Sequence, residues 1–225
     1  MARDDWAGVD AYIGAHLLPE DAVLDGVLER NRAAGLPEID VSPAFGRFLQ
    51  MLVQILGARR VLEIGTLGGY STIGLARGLA PGGRVVTLEY APRHAAVARE
   101  NLAAAGVADR VELRVGAALD LLPGIAAEGL GPFDLIFMDA DKANNAAYLD
   151  WALRLSRVGS VILCDNVVRG GDVLDAGSDR ADVRGTRAFF DRLAAMPGVS
   201  ATALQTVGAK GWDGFAIARV EALPA

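Results

Sequence analysis

Val61-Leu62-Glu63-Ile64-Gly65-Thr66-Leu67-Gly68-Gly69-Tyr70-Ser71 is the stretch whose reading decides the fold. A short apolar run enters a loop with three glycines, and a helix follows. The same alternation continues to the carboxyl side. Apolar runs predict strands over 61–65, 84–89, 111–115, 133–139 and 160–164. Amphipathic stretches predict helices over about 70–79, 92–105, 118–127 and 145–157. Such alternation implies an α/β fold, a parallel sheet covered on both faces. A helix over about 183–195 precedes Ser200–Val207 and Gly214–Val220, which read as an antiparallel pair added to the sheet edge.

On the amino side the first forty residues read as helices. Leu17, Leu18, Val23, Leu24, Val27 and Leu28 recur at helical spacing, and Ala33-Ala34-Gly35-Leu36-Pro37 stops the run. Ser42-Pro43 starts another helix, with serine as the cap and proline in the first turn. Phe45, Phe48, Leu49, Leu52, Val53 and Leu56 form its apolar face. With no repeat or long linker, the 225 residues read as one domain, helices over 1–58 and an α/β core over 59–225.

Composition excludes several function classes. A net charge of −6 without a dense Lys/Arg block argues against a nucleic-acid reader. No apolar stretch reaches the ~20 residues of a membrane helix. The start, with Arg3, Asp4, Asp5 and Trp6, is too polar for a signal-peptide core, so the expected location is cytoplasmic. Cys164 is the single cysteine, which rules out an internal disulfide and a thiolate zinc cluster, and it reads as a packed core residue. His16 and His94 are the two histidines, both in predicted helices, too few for a His-based triad or zinc site. Lys142 and Lys210 are the two lysines, which makes Lys142 conspicuous beside an acidic cluster.

The glycine loop selects the cofactor. A dinucleotide fingerprint needs G-x-G-x-x-G, and Leu67 stands where the second glycine belongs. Glu63 ahead of the loop repels a pyrophosphate but suits an ammonium or sulfonium. Glu89 closes the second strand, where an acid hydrogen-bonds ribose hydroxyls. Ribose without pyrophosphate points to S-adenosylmethionine. Two later strands end in oxygen ligands: Met138-Asp139-Ala140-Asp141-Lys142 and Cys164-Asp165-Asn166. Taken singly, each Asp is as well explained as a helix cap, Asn166 as a turn residue and Lys142 as a solvated side chain. Together, at neighbouring strand ends, they describe a site for one hard cation with a lysine beside it.

These motifs are similar to those of the cation-dependent class I O-methyltransferases, the family of catechol and caffeoyl-CoA O-methyltransferases and their bacterial relatives. The resemblance runs from Val41-Ser42-Pro43 to Gly211-Trp212-Asp213-Gly214. It implies a Rossmann-like fold with a seven-stranded, mostly parallel sheet, one antiparallel strand and extra N-terminal helices. It implies S-adenosylmethionine held by Val41, Glu63, Gly65, Thr66, Ser71, Glu89, Ala118, Asp139, Asp141 and Tyr148, with Ser71 near the methionine carboxylate and Ala118 at the adenine. It implies Mg²⁺, or another divalent cation such as Mn²⁺ or Ca²⁺, on Asp139, Asp165 and Asn166. Lys142 and Asp139 are the catalytic residues it implies, with Lys142 beside the hydroxyl of a small catechol- or hydroxycinnamate-like acceptor. A homodimer through the N-terminal helices is also implied.

The match has departures. Many relatives carry a tryptophan shortly after the Asp-Asn pair, where this chain has Arg169. An arginine there is expected to favour an acidic aromatic acceptor. No counterpart is evident for the acid that catechol-type enzymes use on the second hydroxyl. Two other readings remain: a nicotinamide-dependent oxidoreductase, disfavoured by Leu67, and a non-catalytic cofactor-binding protein, disfavoured by the complete set Asp139, Lys142, Asp165 and Asn166.

Overall fold

The computed structural model describes residues 5–223, so Arg3 and Asp4 of the polar start lie outside it. Seven strands form one sheet: β1 Arg60–Ile64, β2 Arg84–Glu89, β3 Val111–Val115, β4 Phe133–Met138, β5 Ser156–Asp165, β6 Val199–Gly208 and β7 Gly211–Val220. Their order is β3-β2-β1-β4-β5-β7-β6. The first five are mutually parallel, and β7 runs antiparallel to both β5 and β6. The sheet is thus mostly parallel with one reversed strand, as expected. Strand order reverses at β1, between β2 and β4, and crevices at such switch points bind ligands.

Alternate residues of each strand face opposite helical layers. Leu62, Ile64, Ile136, Met138 and Ile162 pack under α6 Ala118–Ala127, α7 Asn145–Arg154 and α8 Ala181–Ala194. Val61, Leu135, Phe137 and Leu163 pack under α3 Pro43–Ile55, α4 Tyr70–Gly78 and α5 Pro92–Ala104. Glu63 belongs to this second face, which explains its full burial.

Ser42 caps α3 as its sequence predicts, accepting from the Phe45 N–H at 3.2 Å. The earlier helical run divides at Leu18-Pro19 into α1 Trp6–Leu17 and α2 Ala22–Ala33, and Asp21 caps the second by accepting from the Leu24 N–H at 3.1 Å. Leu17 is largely exposed and Val27 is fully buried, so only the second half of that apolar pattern serves the core.

The largest boundary difference lies at β5. It starts at Ser156, and α7 stops at Arg154, within the segment whose spacing predicts helix to 157. Three polar contacts make the early turn: Ser156 Oγ donates to the Ala152 carbonyl, Ser160 Oγ donates to the Phe133 carbonyl, and the Arg157 N–H donates back to Ser160 Oγ. A register shift against β4 between Phe133 and Leu135 accommodates them.

Behind β4 a short 3-10 turn, Lys142–Asn144, rests on α8. Gly185 of α8 allows this: a methyl added there would stand 2.2 Å from the Lys142 carbonyl and 2.5 Å from Ala143 Cα. Gly185→Ala is therefore predicted to lower stability by about 1–3 kcal/mol in urea unfolding, because backbone must move to admit one carbon.

Candidate active site

The carboxyl ends of β1, β2, β4 and β5 open on a cavity of about 910 Å³. Its size suits a nucleoside-containing ligand with a small second molecule beside it. Gly65 shapes the centre. Its φ of +101° is a glycine conformation, and an added Cβ would lie 2.4 Å from the Asp139 carbonyl oxygen. The Asp139 N–H in turn donates to the Ile64 carbonyl at 2.8 Å. The loop after β1 is thus laid directly on the end of β4.

Glu89 fixes the rest of that loop. Its Oε2 accepts from the backbone N–H groups of Thr66 at 3.2 Å and Leu67 at 2.7 Å. Leu67 has a φ of +50°, unusual for a branched side chain, and the carboxylate holds it there. Oε1 accepts from the Ala91 N–H at 2.9 Å. Glu89 lines the cavity and also serves as the loop's internal scaffold.

Two asparagines complete the loop, and sequence reasoning missed both. Asn101 of α5 donates to the Gly68 carbonyl at 2.8 Å and to Asn31 Oδ1 at 2.9 Å. Asn31 of α2 donates to Asp40 Oδ1 at 2.9 Å. Both side chains are buried. Their signal was available: Asn31 follows Val27 by four residues and Asn101 precedes Leu102, so both sit on apolar faces. Through them the N-terminal helices hold Ile39-Asp40-Val41 over the cavity, where all three form part of its wall.

Glu63 does not form part of the cavity wall. It lies beneath the loop, accepting from the hydroxyls of Ser71 at 2.6 Å, Thr87 at 2.6 Å and Thr72. Burial pushes its carboxyl up to about 7 despite these three donors. Ser71, one of its three donors, does line the cavity. With its hydrogen directed at Glu63, the Ser71 hydroxyl presents lone pairs to the ligand space. Thr66 also lines the cavity, its Oγ1 2.6 Å from Thr87 Oγ1.

The acidic cluster is assembled by register. Met138 pairs with Cys164, so Asp139 and Asp165 are the next residues at adjacent strand ends. Lys142 Nζ donates to Asp139 Oδ1 at 2.7 Å, and the lysine is only 8% exposed. Burial opposes its charge, but the Asp139 carboxylate leads the opposing effects and holds its pKa above the ordinary lysine value. Burial first, and then the Asp139 charge, hold the Asp165 carboxyl above the usual carboxylate range. Asn166 follows with a φ of +57°, which asparagine tolerates, and its N–H donates to Asp165 Oδ1 at 2.8 Å. Asp139, Lys142 and Asn166 line the cavity, whereas Asp165 is set back from its wall. Cys164 is fully buried and its thiol is pushed up to about 12, consistent with packing rather than reactivity.

Asp141 faces the same cavity, accepting from Asn144 Nδ2 at 2.6 Å and from the Tyr148 hydroxyl. Tyr148 and Ala118 line the cavity as well. Arg169 is also at the wall, but its guanidinium lies on Asp182, 2.6 Å from Nη2 to Oδ2. Arg180 and then Arg169 draw Asp182 down to about 2. An arginine matched in this way offers little unpaired charge to an acidic acceptor. The Asp213 carboxylate holds the loop by accepting from the N–H groups of Val168 and Arg169, each at 3.0 Å.

Among the described residues no three His, Cys, Asp or Glu side chains gather as metal ligands. The expected set is different, two carboxylates and one amide. Hard oxygen donors of this kind fit Mg²⁺, Mn²⁺ or Ca²⁺, and a divalent charge relieves the repulsion between Asp139 and Asp165.

The O-methyltransferase family model matches residues 15–219. A catechol O-methyltransferase of Mycobacterium tuberculosis is 58% identical over 212 residues, covering 94% of each chain. The solved O-methyltransferase from Bacillus cereus in complex with SAH is 59% identical, with a TM-score of 0.95 over 96% of this chain and 98% of that one. An O-methyltransferase from Streptomyces achromogenes in complex with SAM is 46% identical, with a TM-score of 0.95 over 99% of this chain and all of that one.

Glu63 gives this site a pH signature. Its folded value of about 7 lies above the ordinary 4.5, so the folded chain binds more protons between those values. The stability it contributes is complete below about 4.5 and is lost as pH rises through 7. Glu63→Gln is predicted to flatten the decline in melting temperature of the ligand-free protein between pH 5 and 8. An unchanged slope would place the titrating group elsewhere.

Proposed function

The chain belongs to the O-methyltransferase family, and from that premise we propose that this SAM-dependent O-methyltransferase methylates a hydroxyl of a small catechol-like aromatic with the aid of a divalent cation. One observation carries the reading: Asp139, Lys142 and Asn166 face the same cavity as Glu89, Asp141 and Tyr148. A cofactor half and an acceptor half meet at the Gly65–Asp139 contact. The naming of curated relatives as catechol O-methyltransferases supports the acceptor class.

In this reading Glu89 takes the ribose hydroxyls, and Ala118 borders the adenine. Val41, Gly65, Thr66, Ser71, Asp141 and Tyr148 surround the methionine end, with Glu63 orienting the Ser71 hydroxyl. A divalent cation on Asp139, Asp165 and Asn166 would supply chelation of two vicinal oxygens and a lowered proton affinity for the reacting hydroxyl. Holding an oxygen in line with the sulfonium methyl is worth roughly 7–11 kcal/mol of barrier at best. The oxygen lone pair forms the new C–O bond, and the breaking C–S bond leaves its pair on sulfur. Lys142, charged while Asp139 pairs with it, is equipped to stabilise a phenolate. It becomes a proton acceptor as the Asp139 charge is engaged elsewhere.

No described helix is long and apolar enough to cross a membrane, and we assign the protein to the cytoplasm. We also assign a homodimer through the N-terminal helices: α1 buries none of its residues, and Val9, Tyr12 and Leu17 are exposed on it.

Methyl transfer to a panel of catechols with and without EDTA tests the reading. Transfer is expected to stop with EDTA and return with Mg²⁺, and cation-independent transfer would overturn the metal role. Lys142→Met is expected to lower kcat by about 10²–10⁴-fold. SAH affinity should change far less, as titration calorimetry would measure.

A further inference from the structure

The Glu89 carboxylate is crowded for a group that is to receive a diol. Oε2 accepts from the Thr66 and Leu67 N–H groups, and Oε1 accepts from the Ala91 N–H. His94 Nδ1 stands 3.2 Å from that same Oε1. A carboxylate offers about four acceptor positions, and here four nitrogens surround it. Three belong to backbone that the glycine loop and the start of α5 hold in place. The fourth belongs to a side chain in the first turn of α5, 26% exposed and facing the cavity. Of the four, only the imidazole can swing away without unmaking the loop.

We propose that His94 is a displaceable stand-in for the ribose, covering Glu89 Oε1 in the empty site and yielding that position to a ribose hydroxyl. The proposal rests on the reading of Glu89 as the ribose acceptor. His94 thereby competes with the ribose for Glu89 and sets how tightly the cofactor is held. It fills the one position around the carboxylate that the backbone leaves open, and a ligand without ribose hydroxyls leaves the ring in place.

Titration calorimetry with SAH, and with its analogue lacking both ribose hydroxyls, tests this on the wild-type protein, His94→Ala and His94→Gln. His94→Ala is expected to bind SAH roughly three- to tenfold more tightly, the size of one hydrogen-bond-strength contact no longer broken on binding. Its affinity for the dihydroxyl-free analogue should be unchanged. Its melting temperature should fall without ligand and hold with saturating SAH, whereas a purely structural role would lower both. His94→Gln retains a side-chain donor and should restore wild-type binding. Unchanged or weaker SAH binding by His94→Ala would overturn the proposal. Equal affinity of His94→Ala for SAH and the analogue would instead overturn the ribose reading of Glu89, a distinguishable failure.

Discussion

The bare backbone of Gly65 against the Asp139 carbonyl is the contact on which the rest of this site depends. Nothing larger than hydrogen fits at that Cα, with the carbonyl 2.4 Å from where a Cβ would stand. The approach joins the ends of two different strands, β1 and β4. Behind Gly65 lies the loop scaffolded by Glu89, Asn101 and Asn31. Behind Asp139 lies the cluster of Lys142, Asp165 and Asn166. A methyl donor and an acceptor oxygen must come within reach of each other, and the switch point of the sheet supplies the two edges that meet.

Electrostatics then divide the labour. Around the glycine loop, buried acids are satisfied by hydroxyls and backbone N–H groups: Glu63 by Ser71, Thr72 and Thr87, and Glu89 by the loop itself. Such neutral donors orient a carboxyl group without adding a counter-charge, and for Glu63 they do not outweigh the burial that holds it up to about 7. At the ends of β4 and β5, Asp139 and Asp165 share a buried corner and Lys142 balances only part of their charge. That imbalance favours a further cation. The cavity wall at Arg169 differs again, with Arg169, Asp182, Arg180 and Asp213 largely neutralising one another.

Much of this was legible in the sequence because strands of a parallel sheet covered on both faces leave a continuous apolar run that ends in polar residues. Asp139, Asp165 and Asn166 could be placed at one edge on that ground alone, and Ser42-Pro43 marked its helix unaided. What stayed hidden was what depends on facing. Glu63 alternates inward with Val61, so its carboxylate accepts from Ser71 beneath the loop and is absent from the cavity wall. Asn31 and Asn101 look like ordinary polar residues in amphipathic helices, and only their apolar neighbours betray burial. The early start of β5 was masked by Ser156-Arg157-Val158-Gly159, a polar, glycine-bearing segment whose pairing relies on serine hydroxyls. The pairing of Arg169 with Asp182 crosses thirteen residues of loop, beyond any periodic signal.

A crystal grown with SAH and Mn²⁺ and measured at the manganese absorption edge addresses the central claim, that the two halves form one site. The predicted result is a single anomalous peak among the oxygens of Asp139, Asp165 and Asn166, with the ribose on Glu89 in the same cavity. Manganese bound elsewhere, or no peak at saturating cation with SAH in place, would contradict it.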